Sequence, residues 1–243
     1  VYIKEKQYPW GSNYFKKCNQ MMPKNGLDKL KQHDAIFFGA VGDKNIDDDI
    51  TLWGLRLEIC QNLDQFANIR PSKYLEGIDT PLNINIAKNI DWIIVRENSE
   101  GEYAGSGGIV HKNLPLEVGS ELAIFTREGC RRIHEYAFKL ALSRPRKSLT
   151  LITKSNAQRH GMKLWDKIFY EVKEKYPTVK VNKLLVDAAT AVMVNSPEKL
   201  DVVVATNLHA DILSDLASAL TGSLGIGATA NISTNKNFPS MFE

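Results

Sequence analysis

Two hydrophobic rhythms alternate along the 243 residues. Short continuous apolar runs read as strands buried on both faces, and stretches with apolar residues every three or four positions read as amphipathic helices. The run Asp34–Val41 predicts a buried strand, followed by a polar loop over 42–49 and a helix from about Thr51 to Gln65. Asp91–Val95 predicts another buried strand, ending on Arg96. Gly105 to Gly108 reads as a turn, and Leu122 and Ile124 alternate with polar neighbours as in a strand. Thr126 is positioned to cap a helix running to about Leu142, with Ile133, Tyr136, Ala137 and Leu140 on one face. Ser148–Thr153 predicts a strand ending at Lys154, Gly161–Tyr176 a helix, and Val179–Val186 a strand ending at Asp187. A short apolar strand over 200–205, a helix over 209–220 and a glycine-rich loop over 222–227 complete the pattern. Strands and helices in alternation predict the α/β class.

Composition narrows the function. The net charge is only +3 and Lys and Arg are spread along the chain, so no basic groove for nucleic acid is expected. No apolar run reaches membrane-spanning length. The three cysteines, Cys18, Cys60 and Cys130, show no C-x-x-C spacing, which argues against structural zinc and against a disulfide framework. An odd, sparse count fits a reducing compartment, so a cytoplasmic location is expected. The first residues, VYIKEKQYPWG, contain no apolar signal segment. Both ends read as cut, and the chain is expected to be truncated at each.

Charged residues recur after apolar strands, where α/β proteins gather ligand groups. Asp211 and Asp215 are four apart on a predicted helix, one turn apart on the same face. Like charges so placed repel unless a cation sits between them, and oxygen-only ligands favour Mg²⁺ or Mn²⁺. Taken alone, the pair reads more simply as a set of acids near a helix start. Asp187 is a third candidate carboxylate. Asp43–Asp47 begins like a calcium-binding loop, but Asp48 stands where the turn glycine belongs and Gly54 where the glutamate belongs, so that reading fails.

A partly desolvated lysine can serve as a base, and Lys154 is the candidate; a solvated strand terminus is the plainer reading. Tyr103 could donate a proton or simply pack. Arg70, held out of helical geometry by Pro71, and Arg96 suit carboxylate recognition. Arg56 lies three residues after Trp53 and four before Cys60, on a shared helix face, so its head is expected either to bind an anion or to snorkel to water. The glycine-rich loop follows a helix rather than opening one, so it is no dinucleotide fingerprint. His160 and His209 read as polar loop residues.

Together, Phe66-Ala-Asn-Ile-Arg-Pro71, Val95-Arg-Glu-Asn-Ser-Glu-Gly-Glu-Tyr103, Thr153-Lys-Ser-Asn156, Val186-Asp-Ala188 and Asp211-Ile-Leu-Ser-Asp-Leu-Ala217 resemble the β-decarboxylating dehydrogenases of isocitrate, 3-isopropylmalate and tartrate/D-malate. Tyr8-Pro-Trp-Gly11, Met21-Met-Pro23 and Leu52-Trp-Gly54 are similar to the tartrate/D-malate branch. The resemblance implies an isopropylmalate dehydrogenase-like two-domain α/β fold. One incomplete domain would span 1–65 plus 222–243, and a second, carrying the dimer interface, 66–221.

It also implies NAD- and metal-dependent oxidation, with β-decarboxylation, of a small 2-hydroxy dicarboxylate such as D-malate or tartrate. Asp187, Asp211 and Asp215 would hold Mg²⁺ or Mn²⁺, with K⁺ as an accessory ion. Arg70 and Arg96 would bind substrate carboxylate, Lys154 would take the C2 hydroxyl proton through water, and Tyr103 would protonate the enol left after carbon dioxide departs. Asn156 and Trp53 would lie by the nicotinamide. The sites would be shared across a homodimer, Lys154 and Asp187 coming from the second subunit.

Two departures stand out. Cys60 occupies a position where the family usually has arginine, and Arg56, one turn earlier, is the candidate replacement in substrate binding. The family's N-terminal Gly-Asp-Gly-Ile-Gly segment and its adenosine-cradling loop have no counterpart here. The choice of NAD over NADP is read in that loop, and weak or absent turnover is expected of this chain by itself. The alternatives are a 3-isopropylmalate dehydrogenase, or a non-catalytic fragment or subunit of the family.

Overall fold

In chain order the elements of the computed structural model are helices α1 (Ser12–Cys18) and α2 (Gly26–Leu30), strand β1 (Ala35–Phe37), helix α3 (Asp48–Thr51), a π-helical segment (Leu52–Leu57) and helix α4 (Glu58–Asn62). Strand β2 (Ala67–Lys73), helix α5 (Ile84–Ala87), strands β3 (Asp91–Glu97), β4 (Gly101–Val110) and β5 (Val118–Ile124), and helix α6 (Arg127–Ser143) follow. Then come β6 (Ser148–Thr153), α7 (Gly161–Lys173), β7 (Lys180–Leu185), α8 (Val186–Asn195), a 3₁₀ turn (Pro197–Lys199), β8 (Val202–Ala205), α9 (Asn207–Leu220), β9 (Ala230–Ile232) and β10 (Ser240–Phe242). The structure describes residues 2–222, 227–234 and 237–243, so positions 223–226 of the glycine-rich loop lie outside the described residues. Strands alternate with helices, as the α/β expectation required.

The chain divides into two compact units, one of residues 1–65 and 232–243 and one of residues 66–231. The second break comes at Ile232 rather than at Gly222, where the sequence places it. Asn231 accounts for the difference: its buried side-chain oxygen accepts from Nδ2 of Asn68 at 2.7 Å and of Asn98 at 3.1 Å, which ties this stretch to the larger unit.

In the smaller unit β1 runs parallel to β10, pairing Ile36 with Met241. Leu30, Leu55, Ile59, Cys60, Leu63 and Met241 form its core. The expected buried strand over 34–41 shrinks to three residues with only Ile36 buried; Phe37 is 89% exposed, as an edge strand allows. The expected continuous helix over 51–65 carries a π-helical segment, where hydrogen bonds span five residues instead of four. Arg56 and Cys60 are buried while Trp53 is 39% exposed, so the three do not share one environment as α-helical spacing suggested.

In the larger unit the strands lie in the order β2-β3-β8-β6-β7. β2 and β3 are antiparallel; β3, β8, β6 and β7 are parallel neighbours. All four residues of β8 are buried, which is why it reads as a continuous apolar run. Trp92, Ile94, Ile152, Leu213 and Ala217 belong to the core beneath α8 and α9. Buried Ile133, Ala137 and Phe138 of α6 and Trp165 and Phe169 of α7 supply further apolar packing. Thr126 does cap α6, its side chain accepting from the Gly129 amide at 2.9 Å.

β4 and β5 form a separate two-stranded ribbon. Gly105–Gly108 belong to β4 and are not a turn; the reversal lies beyond, where His111 and Asn113 take positive φ. Gly107 is required by close approach, because a Cβ there would run into the Ser120 carbonyl. Every residue of β5 is exposed, Leu122 and Ile124 included. Among the described residues no helix is long and apolar enough to cross a membrane.

Candidate active site

The register of β2 on β3 sets Asn68 opposite Arg96, and Arg70, two residues on from Asn68, points to the same face. On α9, Asn207, Asp211, Ser214 and Asp215 fall at spacings of four, three and one, which makes a single stripe. The stripe meets the strand face. Arg96 Nε donates to Asn207 Oδ1 at 2.8 Å and its Nη1 to Asp211 Oδ1. Arg70 Nη1 donates to Ser214 Oγ at 2.6 Å and lies 3.4 Å from Asp211 and 3.8 Å from Asp215. Arg70 Nε is fixed by Asn68 Oδ1 at 2.8 Å. Tyr103, carried in by β4, donates its hydroxyl to Asp211 Oδ2 at 3.0 Å, and its ring lies 5.3 Å from the Arg96 guanidinium carbon. Arg96 is buried, whereas the Asp215 side chain is 80% exposed. Beside it Arg70, Ser72, Asp215, Ser218 and Thr229 line a cavity.

Five residues singled out in the sequence are therefore gathered by two strands, a ribbon and one helix: Arg70, Arg96, Tyr103, Asp211 and Asp215. The repulsion expected between the two aspartates is relieved within the chain by guanidinium charge. The supports Asn68, Asn207 and Ser214 were not foreseen. Asn207 and Ser214 share the helical stripe of the aspartates, a signal available in the sequence. Asn68 depends on a cross-strand register that is not.

Lys154 and Asp187 form a second group. Lys154 follows β6, and its Nζ donates to Asp187 Oδ1 at 2.8 Å. That hydrogen bond is the main reason the Asp187 carboxyl lies below the usual carboxylate range. Asp187 does not end a strand; it is the second residue of α8, a helix the sequence reading missed. It lies in the first turn, where the helix dipole favours an acid. The Asp187 side chain is 66% exposed. Among the described residues of one chain, no three His, Cys, Asp or Glu side chains are grouped closely enough to hold a metal, so Asp187 is not brought to Asp211 and Asp215 within a single chain.

Other expectations are placed as follows. Asn156 is exposed in the turn after Lys154. Trp53 lies in the π-helical segment of the smaller unit. Arg56, in the same segment, engages Glu243 through Nε at 2.8 Å and Nη2 at 3.3 Å, which places its charge in an ion pair inside that unit. His160 precedes α7, but His209 is no loop residue: it lies buried in the first turn of α9. Burial pushes its imidazole below the ordinary value, with the Lys154 ammonium pushing the same way and Glu102 opposing.

The profile of the isocitrate/isopropylmalate dehydrogenase family matches residues 1–243. A probable tartrate dehydrogenase/decarboxylase of Agrobacterium vitis is 62% identical over 241 residues, covering 99% of this chain and 67% of that protein. The D-malate dehydrogenase [decarboxylating] of Escherichia coli strain K12 is 44% identical over 239 residues, covering 98% and 66%. The crystal structure of isocitrate dehydrogenase from Methylococcus capsulatus superposes with a TM-score of 0.85 at 33% identity, over 96% of this chain and 66% of that one. The chain thus spans about two thirds of the length of these relatives. With the family profile matched from end to end and curated relatives this similar, the chain belongs to the isocitrate/isopropylmalate dehydrogenase family.

Proposed function

We propose that the protein oxidises a small 2-hydroxy dicarboxylate, D-malate or tartrate, passing hydride to NAD and releasing carbon dioxide. The observation that carries this reading is the convergence of Arg70, Arg96 and Tyr103 on Asp211. Two guanidiniums held by Asn68, Ser214 and Asn207 form a preorganised fork for a carboxylate, the group common to these substrates. The names of the relatives point to the same substrate class.

Asp211 and Asp215 offer hard oxygen donors suited to Mg²⁺ or Mn²⁺. Within one chain the donor set lacks a third carboxylate. It fits a cation once the partner subunit's Asp187 is added, and the exposure of Asp187 beside Lys154 supports a role toward another chain. The exposed apolar side chains Ile109, Val110 and Leu122 on the ribbon, with Leu208 and Ile212 on α9, support a homodimer that shares its sites. In this reading a cation held by Asp211, Asp215 and the partner subunit's Asp187 would supply Lewis-acid chemistry, and NAD would be the hydride acceptor. Arg70 and Arg96 orient the carboxylate that leaves. The partner subunit's Lys154 takes the hydroxyl proton through water, and Tyr103 returns a proton to carbon. Asn156 and Trp53 are assigned to the nicotinamide. Arg56 is not assigned to the substrate in this reading; its ion pair with Glu243 inside the smaller unit supports a structural role for it.

The test is a substrate panel on the full-length protein. D-malate, the tartrates and 3-isopropylmalate are each supplied with NAD or NADP, Mn²⁺ or Mg²⁺, and K⁺, and reduced nucleotide and carbon dioxide are measured. Fastest turnover on D-malate or a tartrate with NAD is expected. Turnover confined to 3-isopropylmalate, or metal-dependent dicarboxylate binding without turnover, would discard the reading.

A further inference from the structure

Asp166, on α7, is a buried acid that the proposed mechanism leaves unused. Its Oδ2 accepts from Ser155 Oγ at 2.7 Å and from Lys183 Nζ at 3.3 Å, and its Oδ1 is buried without a hydrogen-bond partner among the described residues. A buried carboxylate costs free energy unless its contacts repay the lost hydration, so a half-satisfied one calls for an explanation.

Its two partners supply that explanation. Ser155 is the residue after Lys154, in the turn that leaves β6. Lys183 sits on β7 opposite Leu151 of β6, four residues before Asp187. One carboxylate oxygen therefore touches both the turn after β6 that carries Lys154 and strand β7, which leads directly into α8 and Asp187. The neighbouring Trp165 adds a second anchor from the same helix, donating its Nε1 to the Ile152 carbonyl at 3.0 Å. The turn itself is tight: the amides of Ala157 and Gln158 both donate to the Lys154 carbonyl at 2.9 Å. With the backbone at Lys154 and Ser155 fixed on α7, the lysine side chain starts from a defined origin and reaches Asp187 at 2.8 Å.

We propose that Asp166 is a positioning residue, setting the place of the Lys154 ammonium through the Ser155 hydroxyl; the proposal rests on the role given to Lys154 above. A base displaced by about 1 Å loses roughly a hundredfold in rate, so the clamp is expected to act on kcat and not on substrate affinity.

The test uses the full-length protein and Ser155→Ala, Asp166→Ala, Asp166→Asn and the Ser155→Ala/Asp166→Ala double variant. Ser155→Ala and Asp166→Ala should lower kcat roughly ten- to a hundredfold with KM within about twofold, and the double variant should fall no further than the worse single. Asp166→Asn still presents an oxygen to Ser155 and should recover most of kcat. Mild acylation followed by mass spectrometry reads the position of Lys154 without turnover: labelling should be several-fold faster in Ser155→Ala than in wild type. Unchanged kcat and unchanged labelling in Ser155→Ala would overturn the proposal, as would losses that add in the double variant. If Asp166→Ala fails to fold, Ser155→Ala and Asp166→Asn decide. A wild-type protein that turns over no hydroxy acid would sink the dehydrogenase reading, and the labelling comparison would still judge the clamp.

Discussion

Replacing His134 with leucine should remove a pH dependence of stability that the wild-type protein shows in acid. The imidazole is buried on α6, its ring centroid 4.2 Å from that of Trp165 and 5.3 Å from that of Phe169, and neither ring nitrogen has a hydrogen-bond partner among the described residues. Burial pulls its pKa down from 6.5 to about 3. Because the folded value lies below the unfolded one, the unfolded chain binds the extra proton first, and stability present above pH 6.5 is lost as the pH falls toward 3. At about 1.36 kcal/mol per unit, the loss from this group reaches about 2 kcal/mol at pH 5 and about 4 kcal/mol at pH 3. Leucine is close to histidine in volume and leaves no unpaired nitrogen, so at pH 7 the variant should be at least as stable as wild type. Urea unfolding of both proteins at pH 7 and pH 5 measures the effect, and other titrating groups cancel in the difference. Wild type should lose about 2 kcal/mol more than His134→Leu across that interval. Parallel losses in the two proteins would refute the argument, since they would mean that the buried ring is already charged or reaches solvent.

Glu97 has the opposite sign. It is buried and its pKa rises from 4.5 to about 7, desolvation outweighing hydrogen bonds from Ser99 and Glu100, so its contribution is full below pH 4.5 and lost as pH rises through 7. Between pH 4.5 and 7 wild type should therefore lose about 3 kcal/mol relative to Glu97→Gln in the same urea assay. Gly129→Ala should lower stability by about 1–2 kcal/mol by calorimetry, because the new methyl would strike the Glu100 carboxylate that accepts from the Thr126 amide and hydroxyl at the start of α6. Arg56→Leu should cost about 3 kcal/mol in unfolding free energy, by removing the guanidinium paired with the largely buried Glu243 carboxylate. The same variant in the full-length protein should keep the KM for the hydroxy acid within about twofold, which separates a structural arginine from a substrate-binding one.

What was legible in the sequence followed from how locally each feature is encoded. Strand β6 and helices α6 and α9 were readable because their periodicity, caps and flanking polar residues lie within the segment itself. Helix α8 was not. It starts directly at the end of β7 with no glycine or proline between, and Val186, Val192 and Val194 continue the apolar, β-branched look of the strand. The alanines at 188, 189 and 191, with an acid in the first turn, were the available helix signal. Gly105–Gly108 misled for a related reason: glycine was read as a turn former, where the ribbon needs Gly107 for close approach of a facing backbone. Arg56 shows the limit of local reading most plainly, since its partner is 187 residues away and nothing in its helix announces it.

The aspartate pair on α9 gives the same lesson in electrostatic form. Spacing alone placed two carboxylates on one face, an arrangement that repels unless positive charge lies between them. It could not say which charge, because the answer lies on β2 and β3. In the folded chain Arg70 and Arg96 supply it, and Tyr103 adds a proton donor to the remaining oxygen of Asp211. On the proposed reading this arrangement couples the two ligands. A substrate carboxylate that takes over the guanidinium fork loosens the hold of the arginines on Asp211. The oxygens so released sit one helical turn from the exposed Asp215, where a hard cation can use both. Carboxylate and cation would then each favour the other's binding, because the fork cannot serve Asp211 and the substrate at full strength together.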